Sequence, residues 1–162
     1  MPNIHISSSK YMAPSKLQGW QWLPYIDKIM LDVVKRAITI IDKRIKGSKP
    51  CEAAFKTLPD GKSFTDIWNL KNVWISYDPD RSGNKYGVAL NKQHISITAY
   101  ALAMGQWMTA ATIIHELAHV NGAPGNNTQA EDMLLKCMLK QHHNPNIIGQ
   151  IRNSKLKNVA LV

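Results

Sequence analysis

The sequence predicts a single α+β domain that is compact and mostly helical, with a small antiparallel sheet or hairpin. Its 162 residues are enough for one domain with a sizeable core. Apolar residues recur at helical spacing over several segments, and two β-branched or aromatic runs flank a turn-forming loop. We assign residues 1–20 to a flexible N-terminal arm and residues 21–162 to the domain.

The first half of the chain predicts two helices. Between Pro24 and Ile45, apolar residues recur every three or four positions, and Gly47 provides a stop. A shorter helix is expected from Cys51 to about Leu58, just before a Pro-Asp-Gly turn. The long helix is expected to supply core and no chemistry.

The second half predicts the sheet and the remaining helices. Residues 73–77 and 86–98 have the composition and alternation of strands, and the loop between them favours an antiparallel pairing. Residues 99–120 are helical in pattern, with a break at Gly105, and a last helix is expected over residues 128–142. We expect the strand at residues 94–98 to line a cleft and pair with an extended substrate.

One segment carries the pattern His-Glu-x-x-His, at His115, Glu116 and His119. Residues four apart lie on one face of a helix, so both imidazoles can bind the same ion. The glutamate between them lies where it can take a proton from a metal-bound water. The pattern therefore predicts a catalytic Zn²⁺ site, against the alternative of two hydrogen-bonded histidines on an ordinary helix.

A catalytic zinc needs a third protein ligand, and the sequence leaves several candidates open. The metzincin pattern would place a histidine where this chain has Gly125. Glu131, at the start of the next helix, is the favoured ligand. Its spacing from Thr128 also fits a capping box, in which a glutamate binds the helix N-terminus instead. The remaining candidates are Asp132, His142 and His143.

Cysteine content and the N-terminus bear on the compartment. Cys51 and Cys137 are either two reduced, buried thiols or one disulfide, and a disulfide would imply an oxidising compartment. The N-terminal residues contain no apolar segment of the kind found in signal peptides, and no apolar stretch approaches 18 residues. We therefore expect no ordinary signal peptide and no membrane span.

The segment from His115 to Gly125, followed by Ala130-Glu131, resembles small bacterial zincin domains, including metallopeptidase toxin domains of type VI secretion systems. The resemblance implies a zincin-like fold and a zinc metallopeptidase with His115, His119 and Glu131 as ligands and Glu116 as general base. It also implies a secreted antibacterial effector, synthesised in the cytoplasm and acting in a target cell's periplasm or cytoplasm. Expected partners are a cognate immunity protein and a component of the secretion apparatus. Delivery to a periplasm would allow the two cysteines to pair.

Net charge leaves the substrate open. The chain has 20 Lys and Arg against 11 Asp and Glu, a formal charge of +9, which favours anionic partners. A protein substrate and a peptidoglycan peptide require the same chemistry. The alternative from another class is a nucleic-acid-binding or envelope-binding module with a structural metal. It is disfavoured because a structural zinc site usually contains cysteines, and neither cysteine lies near the histidine pair.

Overall fold

The computed structural model describes residues 1–14, 19–145, 147 and 151–152. Within them, the six α-helices are α1 (Lys28–Ile40), α2 (Lys49–Lys56), α3 (Phe64–Trp68), α4 (Ala99–Ala103), α5 (Gln106–Val120) and α6 (Gln129–Lys136). The strands are β1 (Asn3–Ile4), β2 (Trp74–Asp78), β3 (Gly87–Leu90), β4 (His94–Thr98) and β5 (Ile151–Arg152). This set of helices and strands confirms the predicted α+β class. None of these helices has both the length and the apolar character needed to cross a membrane.

The strands form one mixed sheet in the order β1-β2-β4-β3-β5. β2 lies parallel to both β1 and β4, whereas β3 is antiparallel to β4 and β5. The antiparallel pairing expected across the loop after β2 is therefore wrong, because β2 pairs with β4 in parallel; the antiparallel hairpin, β3–β4, lies within residues 86–98. The loop after β2 carries the chain across β4 to its far side, and strand composition does not specify which neighbour a strand chooses.

The N-terminal residues contribute to the sheet, which differs from the expected arm. The Asn3 amide donates to the Val73 carbonyl at 2.8 Å, and the His5 amide donates to the Ile75 carbonyl at 2.9 Å. These bonds add β1 as an edge strand. A strand of two residues is too short to be predicted from the sequence pattern. Residues 15–18 of the expected arm, and most of the basic tail after residue 145, lie outside the described residues.

The long first helix is present but starts later than predicted. Asp27 caps it by accepting a hydrogen bond from the Met30 amide, so the residues after Pro24 precede the helix. The helix continues past Ile40 as a π-helical turn over Ile41–Ile45. Gly47, with a φ of 81°, then reverses the chain as expected.

α5 is the central helix of the molecule. Gly105, with a φ of 95°, separates it from α4, which confirms the predicted break. α5 contacts α1 and α6 among the helices and β3 and β4 in the sheet, and every residue from Thr109 to Val120 is buried. The predicted metal-binding pattern therefore lies on the helix whose position is most completely fixed by packing.

A disulfide joins the two cysteines. Cys51, in α2, is bonded to Cys137, the residue that ends α6, and both are fully buried. Of the two alternatives that the sequence left open, the structure contains the bridge. It ties α6 to a helix 86 residues earlier in the chain.

Candidate metal centre

The two histidines of α5 point their Nε2 atoms at each other. His115 Nε2 and His119 Nε2 are 3.2 Å apart, and the residues are 1% and 7% exposed. This arrangement follows from their spacing of four residues, which places both rings on one helical face. The predicted pairing of the two imidazoles is therefore present.

The outer nitrogen of each ring has an acceptor of its own. His119 Nδ1 lies 2.8 Å from the Ala123 carbonyl oxygen, and His115 Nδ1 lies 2.6 Å from Glu131 Oε2. A carbonyl oxygen and a carboxylate oxygen both accept hydrogen bonds, so each Nδ1 carries a proton and donates it. In the tautomer with a proton on Nδ1 alone, Nε2 carries a lone pair.

Two lone pairs that face each other at 3.2 Å favour a cation between them. A metal ion would be such a cation, and a proton shared by the rings would be another. Tetrahedral zinc with bonds of about 2.0–2.1 Å would hold two nitrogens about 3.3–3.4 Å apart. The separation of the Nε2 atoms is thus close to the spacing of two histidine ligands on one zinc ion, and it is equally that of two rings sharing a proton.

Glu116 completes the cluster. It is fully buried, and one ligating atom from each of His115, Glu116 and His119 lies within 4.8 Å of the other two. β3 passes directly against it: a Cβ added at Gly87 would lie 3.2 Å from Glu116 Oε1 and 2.6 Å from Thr112 Cγ2. The sheet and α5 thus confine this carboxylate beside the imidazole pair.

Glu131 lies at the site, but on the opposite nitrogen of His115 from the one expected for a ligand. Its Oε2 contacts Nδ1 of His115, and its Oε1 accepts a hydrogen bond from the Asn144 amide at 3.0 Å. It is not among the clustered donor atoms. In this geometry Glu131 orients His115, as carboxylates behind metal-binding histidines commonly do.

The other interpretations of this segment also differ from the structure. Thr128 makes no side-chain cap, so the capping box is not formed; its hydroxyl donates to Asp132 Oδ2 at 2.8 Å. Asp132 Oδ1 lies 3.1 Å from His143 Nε2. Neither Asp132 nor His143 belongs to the cluster, and among the described residues no fourth histidine, cysteine or acid joins it.

β4 does not offer an edge to a substrate. It is paired on one side with β2 and on the other with β3, so the expected pairing of residues 94–98 with an extended peptide is wrong. His94 lies on the face of the sheet away from the helices, with Nδ1 2.5 Å from the Tyr11 hydroxyl. The strand beside Glu116 is β3.

Sequence reasoning missed two residues that shape the site. Gly87 gives β3 its close approach to Glu116, and an isolated glycine in a strand was the available signal. Asn121, fully buried after α5, donates to the Phe55 carbonyl at 2.9 Å and the Lys62 carbonyl at 2.8 Å. Those bonds join the end of α5 to α2 and to the connection that follows it, a long-range link with no local signal in the sequence.

Comparisons of the chain with protein-family models, with curated proteins and with solved structures found no match. The function is therefore argued from the geometry of the site.

Proposed function

We propose that the protein is a zinc-dependent metallopeptidase. The observation that carries the proposal is the orientation of the two imidazoles. Because each Nδ1 donates a hydrogen bond to an acceptor behind the ring, both Nε2 atoms point toward the same position. Glu116 lies beside that point and is sealed from bulk water. Two imidazoles and an adjacent carboxylate on one buried helix are the His-Glu-x-x-His part of a zinc hydrolase site, which supplies two ligands and a general base; among the described residues no third ligand joins them.

His115 and His119 would hold the ion through Nε2. When bound, zinc lowers the pKa of a coordinated water to about 7 and polarises the substrate carbonyl. Glu116 would accept the proton of the attacking water and deliver it to the leaving amine. Glu131 keeps His115 in the tautomer that presents its lone pair, and the Ala123 carbonyl does the same for His119.

The disulfide supports action in an oxidising compartment. Bridges of this kind persist in secreted and periplasmic proteins and are rare in the cytosol. Together with the resemblance of the His115 to Gly125 segment, this favours an effector that is delivered out of the producing cell. The substrate is then a protein or a peptidoglycan peptide, since both present the amide bond that the site would hydrolyse.

The test is the Glu116→Gln variant. It keeps the size of the side chain and both imidazoles, so zinc content should stay near one ion per chain, whereas peptide hydrolysis should fall about 10²–10⁴-fold. Zinc is measured by mass spectrometry of the purified protein, and hydrolysis by cleavage of a proteome-derived peptide library.

The matched control is Glu52→Gln, which makes the same change in a glutamate whose carboxylate binds the Gly47 and Thr65 amides, away from the cluster. It should keep both zinc and turnover. Undiminished hydrolysis by Glu116→Gln, or a native protein that binds no zinc, would exclude the proposed mechanism.

A further inference from the structure

A cleft of about 310 Å³ opens beside the candidate metal centre, on the side of His119. Its rim includes Asp60, from the turn between α2 and α3, and Lys92, from the turn between β3 and β4. Gly122, just past the end of α5, forms part of its floor. A substrate whose reacting amide lies over His119 would therefore extend past these two charged side chains.

Lys92 is the more available charge of the two. Its Nζ lies 2.6 Å from Asp60 Oδ2, and its side chain is 57% exposed against 30% for Asp60. An ion pair this exposed contributes little to stability, because water screens both charges. Lys92 can therefore leave Asp60 for another carboxylate at little cost.

The backbone of the turn holds Lys92 in an unfavourable conformation. Asn91 and Lys92 have φ values of 52° and 56°, and the Gln93 amide donates to the Leu90 carbonyl at 3.2 Å, which closes a β-turn with these two residues at its centre. Turns with two positive φ values favour Asn followed by Gly. A lysine in the second position is strained, and its side chain is held at the cleft.

Asp60 is fixed in place. Its amide donates to the Asn121 carbonyl at 3.0 Å, and its carboxylate packs so closely on Gly122 that a Cβ there would lie 2.7 Å from Oδ1. Asn121 also anchors the neighbouring chain through its side chain. Asp60 is thus held against the end of α5, where it pairs with Lys92.

We propose that Lys92 recognises a carboxylate of the peptide substrate, releasing Asp60 as it does so. The inference rests on the proposed peptidase function and adds a substrate class, peptides that present a carboxylate near the cleaved bond. The basic surface, with a formal charge of +9, would draw the same class toward the protein. The carboxylate comes either from the C-terminus of the peptide or from an Asp or Glu side chain.

Binding is measured on the zinc-loaded Glu116→Gln protein, in which turnover should be about 10²–10⁴-fold slower. The probes are fluorescent hexapeptide pools that differ in one group: a free C-terminal carboxylate or its amide, and a single Glu or Gln in amidated peptides. We expect about ten-fold tighter binding of one carboxylate pool than of its neutral partner. The pool that shows the difference identifies the source of the carboxylate.

Adding Lys92→Gln should bring that ratio close to one, whereas the same change at Lys35, exposed on α1, should leave it near ten-fold. Equal binding of acidic and neutral pools by the parent protein, or a ratio that survives Lys92→Gln, overturns the proposal. A further amidated pool with a single Lys is compared with the Gln pool, and tighter binding of the Lys pool would overturn the proposal too, because it would assign recognition to Asp60.

The two proposals fail in different ways. If the native protein cleaves no peptide although the Lys92-dependent ratio is present, the peptidase function fails and carboxylate recognition stands. If peptides are cleaved with no preference for a nearby carboxylate and the ratio is absent, recognition by Lys92 fails and the peptidase function stands.

Discussion

At the scale of single residues, Glu131 provides the sharpest test of how the candidate metal centre is built. Its carboxylate contacts the outer nitrogen of His115 and is itself held by the Asn144 amide. Glu131→Gln keeps an acceptor for the imidazole proton and removes the negative charge. We expect zinc to bind about 10-fold to 100-fold more weakly, the usual effect of losing a partner behind a metal ligand. Competition against a chelator of known affinity measures the change.

Asp132→Asn is the control, because it alters the next residue of the same helix, whose carboxylate contacts Thr128 and His143 instead of the cluster. Its zinc affinity should match that of the native protein. Abolished zinc binding in Glu131→Gln, with Asp132→Asn intact, would restore Glu131 as a direct ligand and contradict the geometry described above.

Gly87 tests the confinement of Glu116. An alanine Cβ there would lie 2.6 Å from Thr112 Cγ2 and 3.1 Å from the Ser96 carbonyl oxygen, closer than atoms pack without moving. We expect Gly87→Ala to displace Glu116 and lower kcat more than it raises KM, while zinc content is kept. The chosen readouts are steady-state kinetics and metal analysis. Unchanged kcat would mean that β3 does not position the general base.

At the scale of elements, the disulfide should stabilise both the fold and the site. It closes a loop spanning 86 residues and anchors α6, which carries Glu131. Constraint of the unfolded chain by such a bridge is worth about 2–4 kcal/mol. The Cys51→Ala/Cys137→Ala variant should lose that much free energy of unfolding and bind zinc more weakly. Urea titrations with and without reductant supply the measurement.

Reductant should lower the stability of the native protein and leave that of the double variant unchanged. Equal stability of the two proteins under oxidising conditions would show that the bridge adds nothing. If the double variant lost stability but bound zinc with native affinity, the disulfide would not be needed to hold Glu131 against His115.

The elements also show where prediction from sequence succeeds. α5 and its break at Gly105 were predicted because periodicity and a left-handed glycine are local signals. The short α3 was missed although Ser63 and Asp66 form a capping box visible in the sequence. The partner of β2 could not be predicted, since it depends on the path of the loop that follows.

The candidate metal centre also combines features that the sequence predicts with features that it does not. A spacing of four residues determines that His115 and His119 share a face, so their pairing was predictable. The role of Glu131 was not, because a separation of 12 residues from His119 says nothing about which nitrogen a carboxylate will meet. Only the packing of α6 on α5 decides that.

At the scale of the whole molecule, the two faces of the sheet differ in chemistry. Ile75, Ile95 and Ile97 face the helices and are fully buried in the core. On the opposite face, His5 Nδ1 lies 3.2 Å from Ser76 Oγ, and His94 contacts Tyr11 and Trp22. Residues near the N-terminus therefore cover a polar face on which histidines are enclosed.

This enclosure makes stability depend on pH. Burial lowers the pKa of His5 and of His94 below the ordinary value of 6.5. The unfolded chain therefore binds protons near pH 6.5 that the folded chain does not, so these two histidines should make the free energy of unfolding fall as the pH drops below 6.5. The lowered pKa values of Asp42 and Asp80 add a loss of stability only nearer their ordinary value of 3.8, below the range in which the histidines titrate. The His5→Asn/His94→Asn variant, which keeps an amide near each Nδ1 position, should be less stable at pH 7.5 and lose stability less steeply on acidification. Thermal unfolding followed by circular dichroism at half-unit pH steps measures how steeply the stability of each protein depends on pH. If the variant and the native protein had the same pH dependence, the acid sensitivity would arise from other groups.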